Sequence, residues 1–331
     1  ISHGDRVAIL ALDGVEHLDL LFACAKLGAI HTALNWRLHW RELQQILAEV
    51  TPTVLIYDDA FKDSVAELAR AHSSVQHWIH LDGPGIPDSR AFNALLASSS
   101  AAPCTCETLV EEDIAAIVFT GGTTGLAKGA RISHRQIAWN GLNSVIHDVN
   151  RDDVYLNVFP MFHVGGLFVY TLPQIIMGGT TVLMQRFDPE RVLHLLQRER
   201  ATIFAAVPAM YQMLTQTPAW AQADLSSLRF CTSGGAPLPV PLVEQYTREK
   251  GVRFKQGFGM TEFGPGLFAL APEDAIRKAG SIGRPNFFID ARIVDSDNRP
   301  LGPNAVGELV LKGPSIATGY FNNAAAWAEV I

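Results

Sequence analysis

The sequence predicts an α/β protein of mostly parallel sheets covered by helices, with a short antiparallel β element near its C-terminal end. Three observations lead there. Short apolar runs rich in β-branched residues alternate with stretches of helical periodicity. Glycines stand where such helices would stop. The pattern changes after residue 286 to two extended segments joined by a turn. RVAILAL (6–12) reads as a buried strand, followed by a helix from Glu16 to Leu27 that Gly28 can end. TVLIY (53–57) is a second strand between helices at 40–50 and 60–71, and 76–81 is a third. GPGIPDS (83–89) and ASSSAAP (97–103) read as exposed loops or a subdomain boundary. Strands are expected again at 114–119, 154–159, 180–184, 202–207, 228–232 and 252–257. Helices are expected at 133–146, 189–200, 208–216 and 240–250. Repeated βα units of this length imply parallel pairing, with ligands at the carboxyl ends of the strands. DARIV (290–294), DSDN (295–298) and GELVLK (307–312) form the antiparallel element.

Composition narrows the function. The 331 residues are 48% hydrophobic and 18% charged, with a net charge of −7 and no block of Lys or Arg. That argues against a nucleic-acid groove or an anionic membrane surface. The four cysteines, Cys24, Cys104, Cys106 and Cys231, lack zinc-ribbon spacing and read as structural thiols of a reduced, cytoplasmic protein. The most apolar region, Gly165 to Gly179, is interrupted by Thr171, Pro173 and Gln174, so no transmembrane segment is expected. ISHGDRVAIL carries no secretory signal, and a chain starting at Ile1 is expected to lack its true N-terminus.

The stretch FTGGTTGLAKGA (119–130) is the first with chemistry in it. The Walker A pattern fails, because Leu126 and Ala127 separate Gly125 from Lys128, and GxGxxG fails because Gly121 and Gly122 are adjacent. What remains is a set of glycines whose backbone N–H groups can form a nest for an anion. Thr120, Thr123 and Thr124 add hydroxyls, and Lys128 adds a mobile positive charge. A solvated turn would have the same composition. The buried strand before the loop favours phosphate.

The loop resembles the signature of the adenylate-forming superfamily, [YF]-T-[SG]-G-[ST]-T-G-x-P-K-G, which comprises the acyl-CoA synthetases, peptide-synthetase adenylation domains and luciferases. Ala127 replaces the usual proline, which removes a φ restraint but no phosphate ligand. Further segments follow in the family's order. PMFHVGG (160–166) resembles the acyl-pocket segment P-x-F-H-x-x-G. A lone His163 would usually be a core or surface histidine. Here the resemblance puts it at the acyl pocket, where amino-acid-activating relatives carry an aspartate, and this implies an uncharged acyl body. TSGGAPLP (232–239) resembles the adenine-side segment, with Gly234, Gly235 and Ala236 beside the base. The prolines there also suit an ordinary helix start. QGFGMTEFGP (256–265) resembles [YF]-G-x-T-E. It implies nucleotide contact by Gly257, Phe258, Gly259 and Met260, with Phe258 against adenine, Thr261 on the α-phosphate and Glu262 on Mg²⁺. GSIGRP (280–285) and GELVLKGPSIATGYFNN (307–323) resemble the passage through a small β-barrel, and their glycines are expected to serve turns.

The resemblance covers nearly the whole chain and is nearest to the fatty-acyl-CoA synthetases. It implies two βα-layered, mostly parallel sheets packed together, plus part of a small antiparallel β-barrel subdomain. The expected subdomains are about 1–112, 113–285 and 286–331, with the family's small C-terminal domain absent and this chain a poor catalyst alone. The cofactors and co-substrates implied are ATP, Mg²⁺ and coenzyme A. Catalytic or nucleotide-side residues would be Thr120, Gly121, Gly122, Thr123, Thr124, Gly125, Lys128, His163, Thr261 and Glu262, with Thr124 and Glu262 as metal ligands. His163, Val164, Gly165, Val207 and Gly234 would line the acid pocket. The implied reaction activates a medium- or long-chain fatty acid as acyl-AMP with release of pyrophosphate, then forms the coenzyme A thioester. Three alternatives stay open: an aryl-acid CoA ligase, an acyl-AMP ligase that loads an acyl carrier protein, and a non-catalytic nucleotide-binding domain. Small-molecule partners are expected and nucleic acid is not; the oligomeric state is open.

Overall fold

The computed structural model describes residues 1–71, 74–121 and 127–331. The first half builds strands β1 (Arg6–Leu10), β2 (Ile30–Ala33), β3 (Val54–Tyr57), β4 (His77–His80), β5 (Arg90–Ala91), β6 (Ile114–Thr120) and β7 (Lys128–Ser133). The second half builds β8 (Val154–Asn157), β9 (Thr180–Leu183), β10 (Ile203–Ala206), β11 (Phe230–Ser233), β12 (Phe254–Met260), β13 (Gly264–Leu270) and β14 (Arg284–Pro285). A final hairpin pairs β15 (Asp290–Val294) with β16 (Glu308–Lys312).

Each of the first two sets forms a seven-stranded sheet. The first runs β5-β4-β3-β1-β2-β6-β7 and is parallel except for β7. The second runs β14-β13-β12-β11-β10-β8-β9 and is parallel from β12 to β9. The central strands β3 and β10 are buried along their whole length, as apolar runs covered by helices on both faces should be. Helix signals hold at several ends. Gly28 and Gly251 adopt the left-handed conformation that closes the helices Val15–Leu27 and Val240–Lys250. Asp188 accepts from Arg191 N at the start of Pro189–Arg198.

The two sheets meet through one apolar cluster. Leu18 and Leu21 come from the first helix, Ala116 and Val118 from β6, and Met161, Val164 and Leu167 from the segment after β8. A buried carboxylate also crosses between them, for Asp13 Oδ1 accepts the Met161 N–H at 2.6 Å. Desolvation raises the Asp13 pKa to about 6, against the opposing effects of that hydrogen bond and of Arg37.

Three expectations need revision. The division near residue 112 is not a sheet boundary, because β6 and β7 complete the first sheet: β6 pairs in parallel with β2, and β7 returns antiparallel onto β6. KGARIS and GPGLFAL are strands that the sequence reading leaves as loop. Both are antiparallel returns across a short connection, so partner pairing decides them more than their own glycine-bearing composition. No helix among the described residues is long and apolar enough to cross a membrane.

Candidate active site

A cavity of about 470 Å³ opens at the carboxyl ends of the second sheet's strands. The segment after β8 supplies Phe159, Phe162, His163, Val164 and Gly165. The ends of β10 and β11 supply Val207, Thr232, Gly234 and Gly235, and β12 with the turn after it supplies Gly257, Gly259, Met260 and Thr261. All five residues expected at the acid pocket therefore line one cavity, and Gly235, Gly257, Gly259, Met260 and Thr261, expected on the nucleotide side, line it with them.

The PMFHVGG segment is held through its backbone by neighbouring side chains. Asn157 Nδ2 and Thr171 Oγ1 both donate to the Gly166 carbonyl, at 3.2 and 2.6 Å. A Cβ on Gly166 would lie 2.2 Å from the Pro160 carbonyl oxygen, so only glycine allows this turn. His163 caps the short helix Val164–Phe168: its Nδ1 accepts the Gly165 N–H at 3.0 Å. That bond assigns the Nε2–H tautomer. Burial lowers the His163 pKa, so the ring that faces the cavity is neutral at pH 7.

Thr261 lines the cavity and is buried, and Gln136 Nε2 donates to its carbonyl at 3.3 Å. Glu262 follows it and leaves the cavity wall. Its Oε1 accepts the Tyr320 hydroxyl at 2.5 Å, and Lys128 Nζ stands 5.2 Å from the centre of the Tyr320 ring. Tyr320 holds its proton well above the usual phenol range, first through desolvation and then through the Glu262 carboxylate. The segment around Tyr320 is laced to both motifs by backbone. Ala317 N donates to Glu262 O at 2.7 Å, Arg131 N to Gly319 O at 2.8 Å and Phe321 N to Gly129 O at 2.7 Å. Lys128, Glu262 and Tyr320 are thus brought together from three distant parts of the chain.

Other expected residues lie elsewhere. Thr120 Oγ1 donates to the Lys128 carbonyl at 3.3 Å across the base of the β6–β7 hairpin, and Gly121 is exposed. Gly122, Thr123, Thr124 and Gly125 lie outside the described residues. Phe258 does not line the cavity: alternation along β12 turns it to the other face, where it packs edge-on against Phe268 at 5.8 Å. Ala236 is exposed and also absent from the wall. Among the described residues no group of three or more His, Cys, Asp or Glu is disposed to hold a metal.

Two residues at the site carry no sequence signal. Arg37 reaches the cavity from the loop after β2, its guanidinium 4.9 Å from the Trp36 ring and 5.6 Å from the Phe162 ring. Tyr320 sits in a stretch that reads only as turns.

Comparison with known proteins adds the family. The model of the AMP-binding enzyme family matches residues 1–321. The indoleacetate–CoA ligase of Aromatoleum aromaticum is 37% identical over 341 residues, covering 100% of this chain and 64% of that protein. The long-chain-fatty-acid–CoA ligase FadD13 of Mycobacterium tuberculosis is 34% identical over 327 residues, covering 97% and 62%. The inhibitor-bound N-terminal domain of FACL13 from Mycobacterium tuberculosis superposes with a TM-score of 0.92 at 32% identity, covering 100% of this chain and 81% of that one. The chain spans less than two thirds of the length of these curated relatives. A family model running through all of the cavity's segments, with relatives that are CoA ligases, places the chain plainly: it belongs to the AMP-binding enzyme family.

Proposed function

We propose that the protein carrying this chain is an ATP-dependent acid–CoA ligase that works in two steps. The carboxylate attacks the α-phosphorus of ATP, pyrophosphate leaves, and acyl-AMP stays bound. The thiolate of coenzyme A then attacks the acyl carbonyl, and AMP leaves. The observation that carries this reading is the joint cavity. Segments resembling the family's acyl and nucleotide motifs share one wall, and Thr261 at its edge leads directly into Glu262, Tyr320 and Lys128.

The chain's own residues have physical tasks in the first step, where an anion attacks a polyanion. Positioning and neutralisation of charge dominate such a barrier. Lys128 brings positive charge to the phosphate side, and Thr261 offers a hydroxyl at the cavity edge. His163, neutral and fixed as a helix cap, gives the acid an uncharged neighbour. The donor set fits Mg²⁺, which takes one or two carboxylates beside substrate phosphates. Glu262 is the one carboxylate between Gly257 and Pro272, and among the described residues it is engaged by a neutral hydroxyl and not by a cation. Glu262 and Thr124 would hold the ion, which when bound neutralises phosphate charge. The acid has an uncharged body beside its carboxylate. A fatty acid and an aryl acid both meet that description.

Acid-dependent exchange of labelled pyrophosphate into ATP by the intact protein tests the reading. Exchange supported by at least one acid is expected. No exchange with any acid from acetate to palmitate, nor with aryl acids, would overturn it. Supplying coenzyme A or an acyl carrier protein as acceptor then separates the ligase from a carrier-loading enzyme.

A further inference from the structure

Behind the main cavity lies a second, smaller chamber of about 60 Å³. The two share Val169, Thr232, Gly257 and Pro265 in their walls. The main cavity is walled largely by apolar side chains and glycine backbone. The chamber behind it gathers Ser144, His147, Tyr170, Lys255 and Asn286.

The row of residues along β12 connects them. Alternation places Gly257 and Lys255 on one face of the strand, before the irregularity between Phe258 and Met260 that holds Gly259. Gly259 is required by packing, since a Cβ there would stand 2.2 Å from the Pro265 carbonyl oxygen. Gly257 is not. Its φ is not positive, and a Cβ would meet only Thr232 Cγ2 at 3.7 Å and Ser233 O at 4.0 Å, which are ordinary contacts. A glycine inside a strand weakens it unless another group comes close to the backbone there. Gly257 stands in the wall of both cavities.

Lys255 ends that row, and its surroundings leave it with hydrogen-bonding capacity. Its ammonium donates to the His147 carbonyl at 2.7 Å and lies 3.6 Å from the centre of the Phe230 ring. No carboxylate stands within 4.0 Å of it among the described residues. An ammonium has three donors, so one carbonyl and one ring face leave one over. Desolvation lowers the Lys255 pKa to about 8, so the group is still mainly a cation at neutral pH. The rest of the chamber is fixed polar structure. Tyr170 and Thr232 share a hydrogen bond of 2.7 Å, His147 Nε2 is bonded to Asn286 Oδ1, and Asn286 Nδ2 donates to Gly266 O at 2.8 Å.

We propose that the chamber is the distal subsite of the acid pocket: the acid's body lies over Gly257, and an oxygen at its far end, as hydroxyl or carboxylate, is received by Lys255. The substrate class is then a carboxylic acid with a second oxygen function remote from the reacting carboxylate, and not an unadorned fatty chain. This rests on the ligase reading above.

The test uses matched pairs of acids on the intact protein: 3-phenylpropenoate against its 4-hydroxy derivative, and octanoate against 8-hydroxyoctanoate and octanedioate. The quantity read is the ratio of kcat/KM for the oxygenated acid to that for its plain partner, in acid-dependent pyrophosphate release. The ratio is taken on one preparation, so a partly unfolded variant does not distort it. In the wild type at least one pair is expected to favour the oxygenated acid about tenfold or more. Lys255→Met is expected to bring that ratio close to one, and Lys255→Arg to keep it above one. Ratios near or below one for every pair turned over by the wild type overturn the subsite, and so does a preference that survives Lys255→Met. In either case the ligase reading stands. No exchange with these or any other acids overturns the ligase reading itself, and the subsite with it.

Discussion

The Tyr320 hydroxyl donates to Glu262 Oε1 at 2.5 Å while its ring faces the Lys128 ammonium at 5.2 Å, so one phenol engages both the carboxylate of Glu262 and the cation of Lys128. Hydrogen bonds to an ionised partner are about twice as strong as neutral ones. The phenol therefore sets where the Glu262 carboxylate points. Tyr320→Phe keeps the ring over Lys128 and removes only that bond. The fold should survive, with the melting temperature within a few degrees. The Mg²⁺ concentration for half-maximal pyrophosphate exchange should rise several-fold, and the thermal shift produced by ATP with Mg²⁺ should shrink. An unchanged Mg²⁺ titration together with an unchanged thermal shift would show that Tyr320 does not position Glu262.

Glu262→Ala removes the carboxylate itself. Exchange should fall by orders of magnitude in a protein that still unfolds cooperatively; near-wild-type exchange would sink the metal assignment. Lys128→Ala has a different signature. It should raise the KM for ATP while leaving the rank order of acids unchanged. A changed rank order would show that Lys128 faces the acid and not the phosphates.

His17 and His31 lie edge to face at 6.4 Å in the first sheet's core, both fully buried. Burial lowers their pKa values to about 4 and about 3. In the unfolded chain both titrate near 6.5, so below that pH the unfolded state binds more protons than the folded one. Stability is then complete above pH 6.5 and is lost as pH falls toward the folded values. Each histidine should cost about 2 kcal/mol between pH 6.5 and 5. Urea denaturation at pH 7 and pH 5 measures this, and His31→Leu should remove about half of the difference. A wild type equally stable at both pH values would contradict the assignment.

Asp153 is buried and fully engaged. Arg229 Nη1 reaches both of its oxygens at 2.6 Å, Thr202 Oγ1 donates to Oδ1 at 2.6 Å, and Asn150 N donates to Oδ2 at 2.9 Å. Removing one partner of a buried pair costs about 3–5 kcal/mol, because the other charge is left uncompensated. Arg229→Ala, which strands the carboxylate, should therefore lower the unfolding free energy by about that much in chemical denaturation. A loss below about 1 kcal/mol would mean that water replaces the guanidinium.

The strands with continuous apolar runs were legible because burial on both faces leaves a composition that nothing else needs, as in β1, β3 and β10. β7 and β13 were not, because each is made a strand by the neighbour it folds back on. The cavity followed the same rule. His163, Val164, Gly165, Val207 and Gly234 sit in motifs at strand ends, where a local pattern suffices. Phe258 shows its limit: the motif gave the residue but not the face, and pairing with β13 turns the ring away. Arg37, Lys255 and Tyr320 depend on segments far apart in the chain meeting in space, and no spacing rule reaches that far.

The backbone bonds from Arg131 N to Gly319 O and from Phe321 N to Gly129 O have a consequence for solubility. β7 is the last strand of its sheet, and an open strand edge is a template for another chain. Residues 317–321 occupy that edge, and they are made after everything they cover. Until they emerge during synthesis, the growing chain carries a bare β7 beside a Glu262 that still lacks its Tyr320 partner. A chain ended before Gly313 should therefore self-associate, even though every strand of both large sheets is present in it.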